Sequence, residues 1–104
     1  MIILTTNDFP GKNIKEVKGI VQGSTVQCKH LGRDIGAGFR NLVGGEMKAY
    51  KDMLDDSRKI AIERMVEEGK LLGANAIIGF KLMSSTVAAG ASEMVAYGTA
   101  VIVD

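Results

Sequence analysis

The longest periodic segment of this chain, residues 46–72, takes up about a quarter of its 104 residues. Apolar side chains recur there at helical spacing, which predicts one helix about 40 Å long. Gly73 follows the segment and ends the helix, because glycine adopts the left-handed C-terminal conformation without strain. The predicted core stripe consists of Met47, Tyr50, Leu54, Ala61, Met65 and Leu72, and a second apolar strip of Met53, Ile60 and Leu71 lies beside it.

The remaining segments are predicted to form a small antiparallel sheet. Extended stretches cover residues 2–6, 14–28, 76–83 and 94–103. Gly19 and Gly23 weaken the second stretch and indicate bends, a bulge or a closely approaching backbone. We therefore expect two short strands joined near Gly23. The small and polar residues 84–92 are typical of a mobile hairpin loop.

A second, short helix is predicted at residues 35–43. Its apolar face consists of Ile35, Phe39, Leu42 and Val43. Gly36 and Gly38 each cost such a helix about 1 kcal/mol relative to alanine, so it depends on tertiary packing. The chain is thus predicted to be a single α+β domain over residues 1–104, with a small antiparallel sheet, one long helix and a short glycine-containing helix.

The last extended stretch is apolar on both of its faces. Val95, Tyr97, Val101 and Val103 alternate there with Met94, Ala96, Ala100 and Ile102. A strand of this kind needs cover on both sides, and one long helix covers only one face of a small sheet. We therefore expect a homo-oligomer, since exposed apolar patches are uncommon on monomers. The alternative is that the short helix near Phe39 covers the second face.

Composition and charge favour a globular cytoplasmic protein. The 13 basic and 12 acidic residues give a net charge of +1, which argues against a dedicated nucleic-acid-binding protein. The apolar runs are shorter than the roughly 20 residues of a membrane span, and residues 1–4 lack the basic leader of a signal peptide. Cys28 is the only cysteine, so no internal disulfide is expected, as is usual in the cytosol.

Several segments together resemble a known family. They are Arg33-Asp34, Phe39-Arg40, Val43-Gly44-Gly45, Tyr50, Ser57-Arg58-Lys59, Met65, residues 72–79 and residues 97–101. The most specific are the Leu-Gly-Ala-Asn-Ala-Ile-Ile-Gly block at residues 72–79 and the spacing from Arg33 to Gly45. Over nearly its whole length, the chain is similar to the YbjQ-like family of small bacterial and archaeal proteins, which is also described as heavy-metal-binding.

The resemblance implies an α+β subunit with antiparallel strands around one long helix, assembled as a homopentamer. It implies no established activity and no catalytic residues. Gly69 departs from the family pattern, in which a small helix former such as alanine is usual at this place. Cys28 and His30 lie outside the shared motif, so a site built on them would be particular to this chain.

Cys28 and His30 are the candidate metal ligands, because they are the one pair of soft-ligand side chains in the sequence. In an extended segment, residues i and i+2 face the same way, so both would reach one divalent or soft metal ion. Zinc takes three or four protein ligands, so neighbouring subunits or water would complete the set. The simpler interpretation is a half-buried cysteine and a surface histidine. As a nucleophile and base, the pair lacks an apparent orienting acid, although Asp34 is near in sequence.

Two other motifs have simpler structural explanations. Six methionines would suit copper(I), but Met47 and Met65 fall in the predicted core, where methionine fills gaps. Residues 36–41 begin like a dinucleotide-binding loop, but Asn41 stands where the third glycine is needed.

Four arginines leave a further alternative open, and they are Arg33, Arg40, Arg58 and Arg64. The structural interpretation is a set of ion pairs, such as Arg64 with Glu68 and either Arg33 or Arg58 with Asp34. The functional interpretation is an anionic ligand held between subunits.

We therefore expect a non-enzymatic cytoplasmic homo-oligomer that binds a metal ion or another small ligand. Its expected partner is itself, with neither nucleic acid nor membrane, and its cofactor stays unidentified. The alternative is an enzyme whose active site forms only between subunits, from Cys28, His30 or an arginine cluster.

Overall fold

The computed structural model describes residues 1–28, 44–88 and 91–104. The elements follow in the order β1 (Ile2–Ile3), β2 (Ile14–Cys28), α1 (Gly44–Leu71), β3 (Ala76–Ala88) and β4 (Ala91–Val103). The strands form one sheet in the order β1-β3-β4-β2, and α1 packs mainly against β2 and β4. The predicted α+β class is confirmed, whereas the short helix predicted at residues 35–43 lies outside the described residues.

The sheet is mixed, and the prediction of a purely antiparallel sheet is wrong at one edge. β1 pairs with β3 in parallel, with Ile2 opposite Ala76, whereas β2 and β3 both pair with β4 in antiparallel fashion. The amide of Leu4 extends this edge by donating to the carbonyl oxygen of Ile77 at 2.8 Å. The reason is topological, because β1 and β2 lie at opposite edges of the sheet and do not form a hairpin.

β2 is one continuous strand of 15 residues, which corrects the prediction of two strands joined near Gly23. Its register against β4 shifts between Ile14 and Glu16 and again between Val17 and Gly19. Each shift accommodates one extra residue, as in a β-bulge. Gly19 has a φ of +118°, a conformation that favours glycine, so the expected bulge at this glycine is confirmed.

The bulges decide which side chains of β2 share a face. Ile14, Val17 and Ile20 lie opposite Val103, Val101 and Thr99 of β4. These three residues therefore point to one side of the sheet in spite of their three-residue spacing, while Val21 points to the other side and packs against α1. Strict alternation would place Val17 and Val21 together, and the extra residue at the bulge separates them.

The backbones of α1 and β2 lie close together at Gly23. A Cβ atom on Gly23 would overlap the carbonyl oxygen of Ala61 and the amide nitrogen of Met65. The expected close approach of another backbone is therefore confirmed at this glycine. Among the residues of α1 whose burial is described, the buried ones recur every four positions, and they are Met53, Ser57, Ala61, Met65 and Gly69. Because most of this row is small, the helix can lie against the strand.

The predicted core stripe of the helix is correct in its middle. Ala61 and Met65 are fully buried, but Leu72 is 42% exposed because it lies beyond the last turn of α1. Met53, which the sequence assigns to the second strip, is buried. The side chains of Met47 and Tyr50 lie outside the described part of the chain.

Gly73 ends α1 as predicted. Its φ is +83°, and its amide donates to the carbonyl oxygen of Lys70 at 3.0 Å. The amide of Ala74 donates to the carbonyl oxygen of Gly69 at 3.0 Å. These two bonds form a Schellman motif, which satisfies carbonyl groups that the last helical turn leaves free.

β3 and β4 continue further than the sequence predicts. Residues 84–88 and 91–92 belong to the two strands, so the prediction of a mobile loop over residues 84–92 is wrong for them. Ser92 pairs with Thr86 on one side and with Gln27 of β2 on the other. Strand partners on both sides therefore order this stretch of small and polar residues.

The sheet has two ends that differ in cover. We call the end with β1 the proximal end and the end that reaches Cys28, Ala88 and Ala91 the distal end. On the α1 side, one core runs through both ends and contains Val21, Ala61, Met65, Ile77, Met94, Ala96 and Ala100. On the opposite side, a second core occupies the proximal end alone and contains Phe9, Ala76, Ile78, Val101 and Val103.

Candidate functional site

Cys28 is the last residue of β2, at the distal end of the sheet. Its backbone pairs with Ala91, which pairs in turn with Ala88 of β3. His30, the second predicted ligand, lies outside the described residues. The structure therefore places Cys28 at the end of the three-stranded part of the sheet and leaves the pairing of Cys28 with His30 untested.

A metal ion needs more donors than Cys28 alone. Within residues 1–28, 44–88 and 91–104, no three His, Cys, Asp or Glu side chains lie close enough together to hold a metal ion. Because zinc takes three or four protein ligands, this part of one chain does not complete such a site. Further donors would have to come from His30, from water or from another copy of the chain.

Methionine fills the core in most of the places where the sequence predicts it. Met53, Met65 and Met94 are at most 4% exposed, and the last two belong to the core on the α1 side. Met83 differs, because its side chain is 57% exposed on β3. The three buried thioethers pack among apolar side chains, which favours the structural interpretation for them.

Asp55 forms a small ion-pair cluster on α1. Its carboxylate accepts hydrogen bonds from the amine of Lys51 at 2.9 Å and from the guanidinium of Arg58 at 2.5 Å. The hydrogen bond from Lys51 lowers the pKa of Asp55 below its ordinary value, and Arg58 lowers it further. Asp55 in turn raises the pKa of Lys51. Arg58 thus has a structural partner one helical turn away.

Arg64 also has a structural partner. Its guanidinium donates to the backbone carbonyl oxygen of Ser24 in β2 at 2.6 Å. This bond ties the exposed side of α1 to the edge strand of the sheet. Arg33, Arg40 and Asp34 lie outside the described residues, so the idea of an arginine cluster around an anion is not tested.

The proximal end holds a pocket of about 220 Å³, lined by Ile2, Phe9, Lys12, Asn75, Val103 and Asp104. Its polar groups bind one another. The side-chain amide of Asn75 donates to the carbonyl oxygen of Val103 at 2.8 Å and accepts from the amide of Val103 at 2.8 Å. The amine of Lys12 donates to the backbone carbonyl oxygen of Asp104 at 2.8 Å.

Asp104 is held by the backbone beside this pocket. Its carboxylate accepts a hydrogen bond from the amide of Asn13 at 2.9 Å, which lowers the pKa of Asp104 below its ordinary value. Sequence reasoning did not single out Asn75, Lys12 or Asp104. Asn75 lies in the block at residues 72–79. Its side chain forms two hydrogen bonds with the backbone of Val103, which gives that block a structural role that periodicity does not show.

On the side of the sheet away from α1, the distal end carries a surface that we call the bare face. Its members are Ile20, Gln22, Ser24 and Val26 of β2, Glu93, Val95, Tyr97 and Thr99 of β4, and Lys81, Met83 and Ser85 of β3. Ile20 is 76% exposed and Val26 is 58% exposed. On the α1 side of the same strands, Val21 and Ala96 are fully buried. Among the residues that the structure describes, one side of the distal end is thus packed and the other is open.

In the part of the chain that the structure describes, no helix is both long enough and apolar enough to cross a membrane.

Comparison with known proteins places the chain among close relatives. A family model described as "Putative heavy-metal-binding" matches residues 1–104. A UPF0145 protein of Clostridium perfringens is 66% identical over 102 residues, which cover 98% of this chain and 96% of that protein. UPF0145 protein BH0643 of Halalkalibacterium halodurans is 58% identical over 104 residues, which cover 100% of this chain and 98% of that protein.

A solved structure supports the fold. The crystal structure of a protein of unknown function from Pediococcus pentosaceus, which belongs to the DUF74 family, superposes with a TM-score of 0.69 at 21% identity. The match covers 100% of this chain and 98% of that chain. At this identity, the likeness establishes the shared fold.

Proposed function

This chain belongs to the YbjQ family, and on that premise we propose that it is a non-enzymatic cytoplasmic homo-oligomer, with five copies, that binds a heavy metal ion or another small ligand. The observation that carries the proposal is the bare face, where apolar side chains of a packed sheet stay exposed. A second subunit is the common way in which small proteins cover such a surface.

The dimensions of the chain also support assembly. The radius of gyration of its Cα atoms is 17.1 Å, and its extents are 54 × 22 × 16 Å. A compact domain of this length has a radius of gyration of about 13 Å. An elongated chain hides less of its own surface, so contacts between copies would contribute a large share of the burial that stabilises the fold.

Metal binding is the more specific part of the proposal. Cys28 at the end of β2 and His30 two residues later offer a thiolate and an imidazole, which suit soft and borderline metal ions. One chain lacks enough donors in its described part, but rotational symmetry repeats Cys28 and His30 in every copy. The site we propose therefore forms between copies, at the distal ends of their sheets.

The cytoplasmic location rests on cysteine usage. Cys28 is the only cysteine of the sequence. A free thiol that serves as a metal ligand stays reduced in the cytosol, where glutathione and thioredoxin keep thiols from oxidising.

Light scattering after size-exclusion chromatography tests the oligomer. We expect a mass of five times the 11.1 kDa of the chain. A single species of 11.1 kDa would contradict the assembly, and a stable species of another multiple would keep the oligomer but correct the number of copies.

Isothermal titration calorimetry tests metal binding. Zinc and copper(I) are titrated into the reduced protein, into Cys28→Ser and into His30→Ala. We expect uptake by the unchanged protein and a loss of at least tenfold in affinity in both variants. Lys29→Ala is the matched control, because it lies between the two ligands and leaves both donors in place. Absence of uptake by the unchanged protein would rule out the metal site while leaving the oligomer unaffected.

A further inference from the structure

We propose that the pocket at the proximal end binds a small uncharged molecule that has a carbonyl oxygen and a branched apolar body. The pocket lies at the opposite end of the sheet from Cys28, so it is distinct from the proposed metal site. The inference rests on the small-ligand part of the proposed function and is independent of the metal ion and of the number of copies.

The size of the pocket limits the size of its ligand. The segment before β2 supplies Phe9 and Lys12 to the wall, and the proximal end of the sheet supplies the other four lining residues. The volume of about 220 Å³ equals that of about seven water molecules at about 30 Å³ each. Pockets for drug-sized ligands begin at about 300 Å³, so this pocket suits a molecule of about seven non-hydrogen atoms.

The apolar part of the wall favours an apolar body for the ligand. Phe9 and Val103 are each 8% exposed and belong to the core on the side away from α1. Ile2 also lines the pocket, and it remains 54% exposed although it belongs to β1. A branched apolar group in the pocket would cover part of Ile2 and contact Val103, and it would thereby remove apolar surface from water.

Two side chains bring fixed hydrogen-bond donors to the pocket. The amine of Lys12 uses one of its three N–H groups for the carbonyl oxygen of Asp104 at 2.8 Å. The side-chain amide of Asn75 uses one of its two for the carbonyl oxygen of Val103 at 2.8 Å. Among the described residues, no acceptor binds the remaining N–H groups, so they can donate to a ligand. A carbonyl oxygen is the acceptor that such donors match.

The charges of the pocket favour an uncharged ligand. Lys12 contributes a cation and Asp104 contributes a carboxylate, whose oxygen accepts from the amide of Asn13 at 2.9 Å. An anionic ligand would be repelled by Asp104, and a cationic one would be repelled by Lys12. An uncharged carbonyl compound avoids both repulsions and still accepts a charge-assisted hydrogen bond from the amine.

NMR of the intact protein with labelled isoleucine and valine methyl groups tests the proposal. The probe is 3-methylbutanamide, which combines a branched apolar chain with an amide carbonyl. We expect saturable shifts of the Ile2 and Val103 methyl signals with a dissociation constant of about 1 mM, since so small a ligand makes few contacts. Val21, which is buried on the α1 side, should not shift. The anion 3-methylbutanoate, which has the same shape, should bind about tenfold more weakly.

Two variants and a matched control test the assigned contacts. Lys12→Met removes the cationic donor and keeps an apolar stem, so binding should weaken about tenfold. Ile2→Ala removes exposed apolar surface without changing a donor, and it should weaken binding about fivefold. Lys15→Met is the control and should bind like the unchanged protein, because this exposed lysine does not line the pocket.

Three results would overturn the inference. Absence of saturable shifts, or shifts that are largest away from Ile2 and Val103, would remove the site while leaving the proposed oligomer and metal site standing. Equal binding of the amide and the carboxylate would overturn the assignment of an uncharged ligand. Unchanged binding in both Lys12→Met and Ile2→Ala would overturn the assigned contacts.

Discussion

The two ends of the sheet use the same strands in different ways. At the proximal end, α1 covers one side, and the segment with Phe9 covers the other. At the distal end, α1 covers one side through Val21, Ala96 and Met94, and the bare face lies on the other. The described part of the chain therefore supplies a two-sided core at the proximal end and a one-sided core at the distal end. Folding alone covers both sides of the proximal end, whereas the proposed assembly would act at the distal end.

The largest expected effect concerns Gly23, where α1 lies directly against β2. Gly23→Ala would place a Cβ against backbone atoms of α1 at Ala61 and Met65, so the helix would have to shift away from β2. We expect a loss of about 3 kcal/mol or more in the free energy of unfolding, measured by urea denaturation. Ser24→Ala is the control and should change stability by less than about 0.5 kcal/mol, because this side chain is exposed. Equal stability in the two variants would contradict the close approach.

A smaller loss in the free energy of unfolding is expected when the cover of the proximal end is removed. Phe9→Ala removes the ring that covers Val101 and Ile78, at a cost of about 3 kcal/mol or slightly less in the free energy of unfolding, since Phe9 keeps 8% exposure.

Val26→Ala changes a bare-face residue at the distal end. It should cost little in an isolated chain and clearly more in an assembled one, as thermal unfolding at several protein concentrations would show.

A gain in stability is expected at Gly69, which lies within α1 on its buried side. A Cβ there would lie 3.5 Å from the side chain of Met1 and 3.6 Å from that of Ile77, which are ordinary contact distances. Gly69→Ala should therefore raise the free energy of unfolding by about 1 kcal/mol through helix propensity. Gly73→Ala is the matched control. It should lower stability, because the φ of +83° at Gly73 disfavours any residue with a side chain.

The smallest expected effect is the dependence of stability on pH. The pKa of Asp104 and that of Asp55 are both lowered in the folded chain, from an ordinary value of 3.8. Their contribution is therefore present above about pH 4 and is lost as the pH falls through the folded pKa values. Both groups are exposed, so we expect a shallow decrease in melting temperature at low pH. Asp104→Asn should flatten this decrease, and an unchanged slope would contradict the role of the Asn13 hydrogen bond.

Sequence patterning predicted those parts of the fold that depend on local periodicity. The long helix, its end at Gly73 and the close approach at Gly23 follow from residue spacing and from the properties of glycine. The parallel pairing of β1 could not be predicted, because two residues carry no register signal of their own. The extension of β3 past Ser84 depends on partners in β4, which local composition does not reveal.

The candidate site was less predictable than the fold. Cys28 and His30 are visible in the sequence as soft ligands, but their geometry depends on residues outside the described part. The link between Asn75 and Val103 joins positions far apart in the chain, and no spacing rule connects them. The two apolar sides of β4 were the useful signal. They pointed to a need for cover that the structure meets at the proximal end through Phe9.

The bulge at Gly19 affects which positions of β2 a mutagenesis experiment should change to reach one side of the sheet. Odd and even positions exchange sides at that glycine, so Val17 and Ile20 are neighbours on one surface while Val21 belongs to the other. Deleting Lys18, the extra residue of the bulge, would leave Val17 opposite Val101 and restore regular alternation along this part of β2. Alternation therefore holds on each side of the bulge but not across it. A substitution chosen by strict alternation across Gly19 would lie on the wrong side of the sheet.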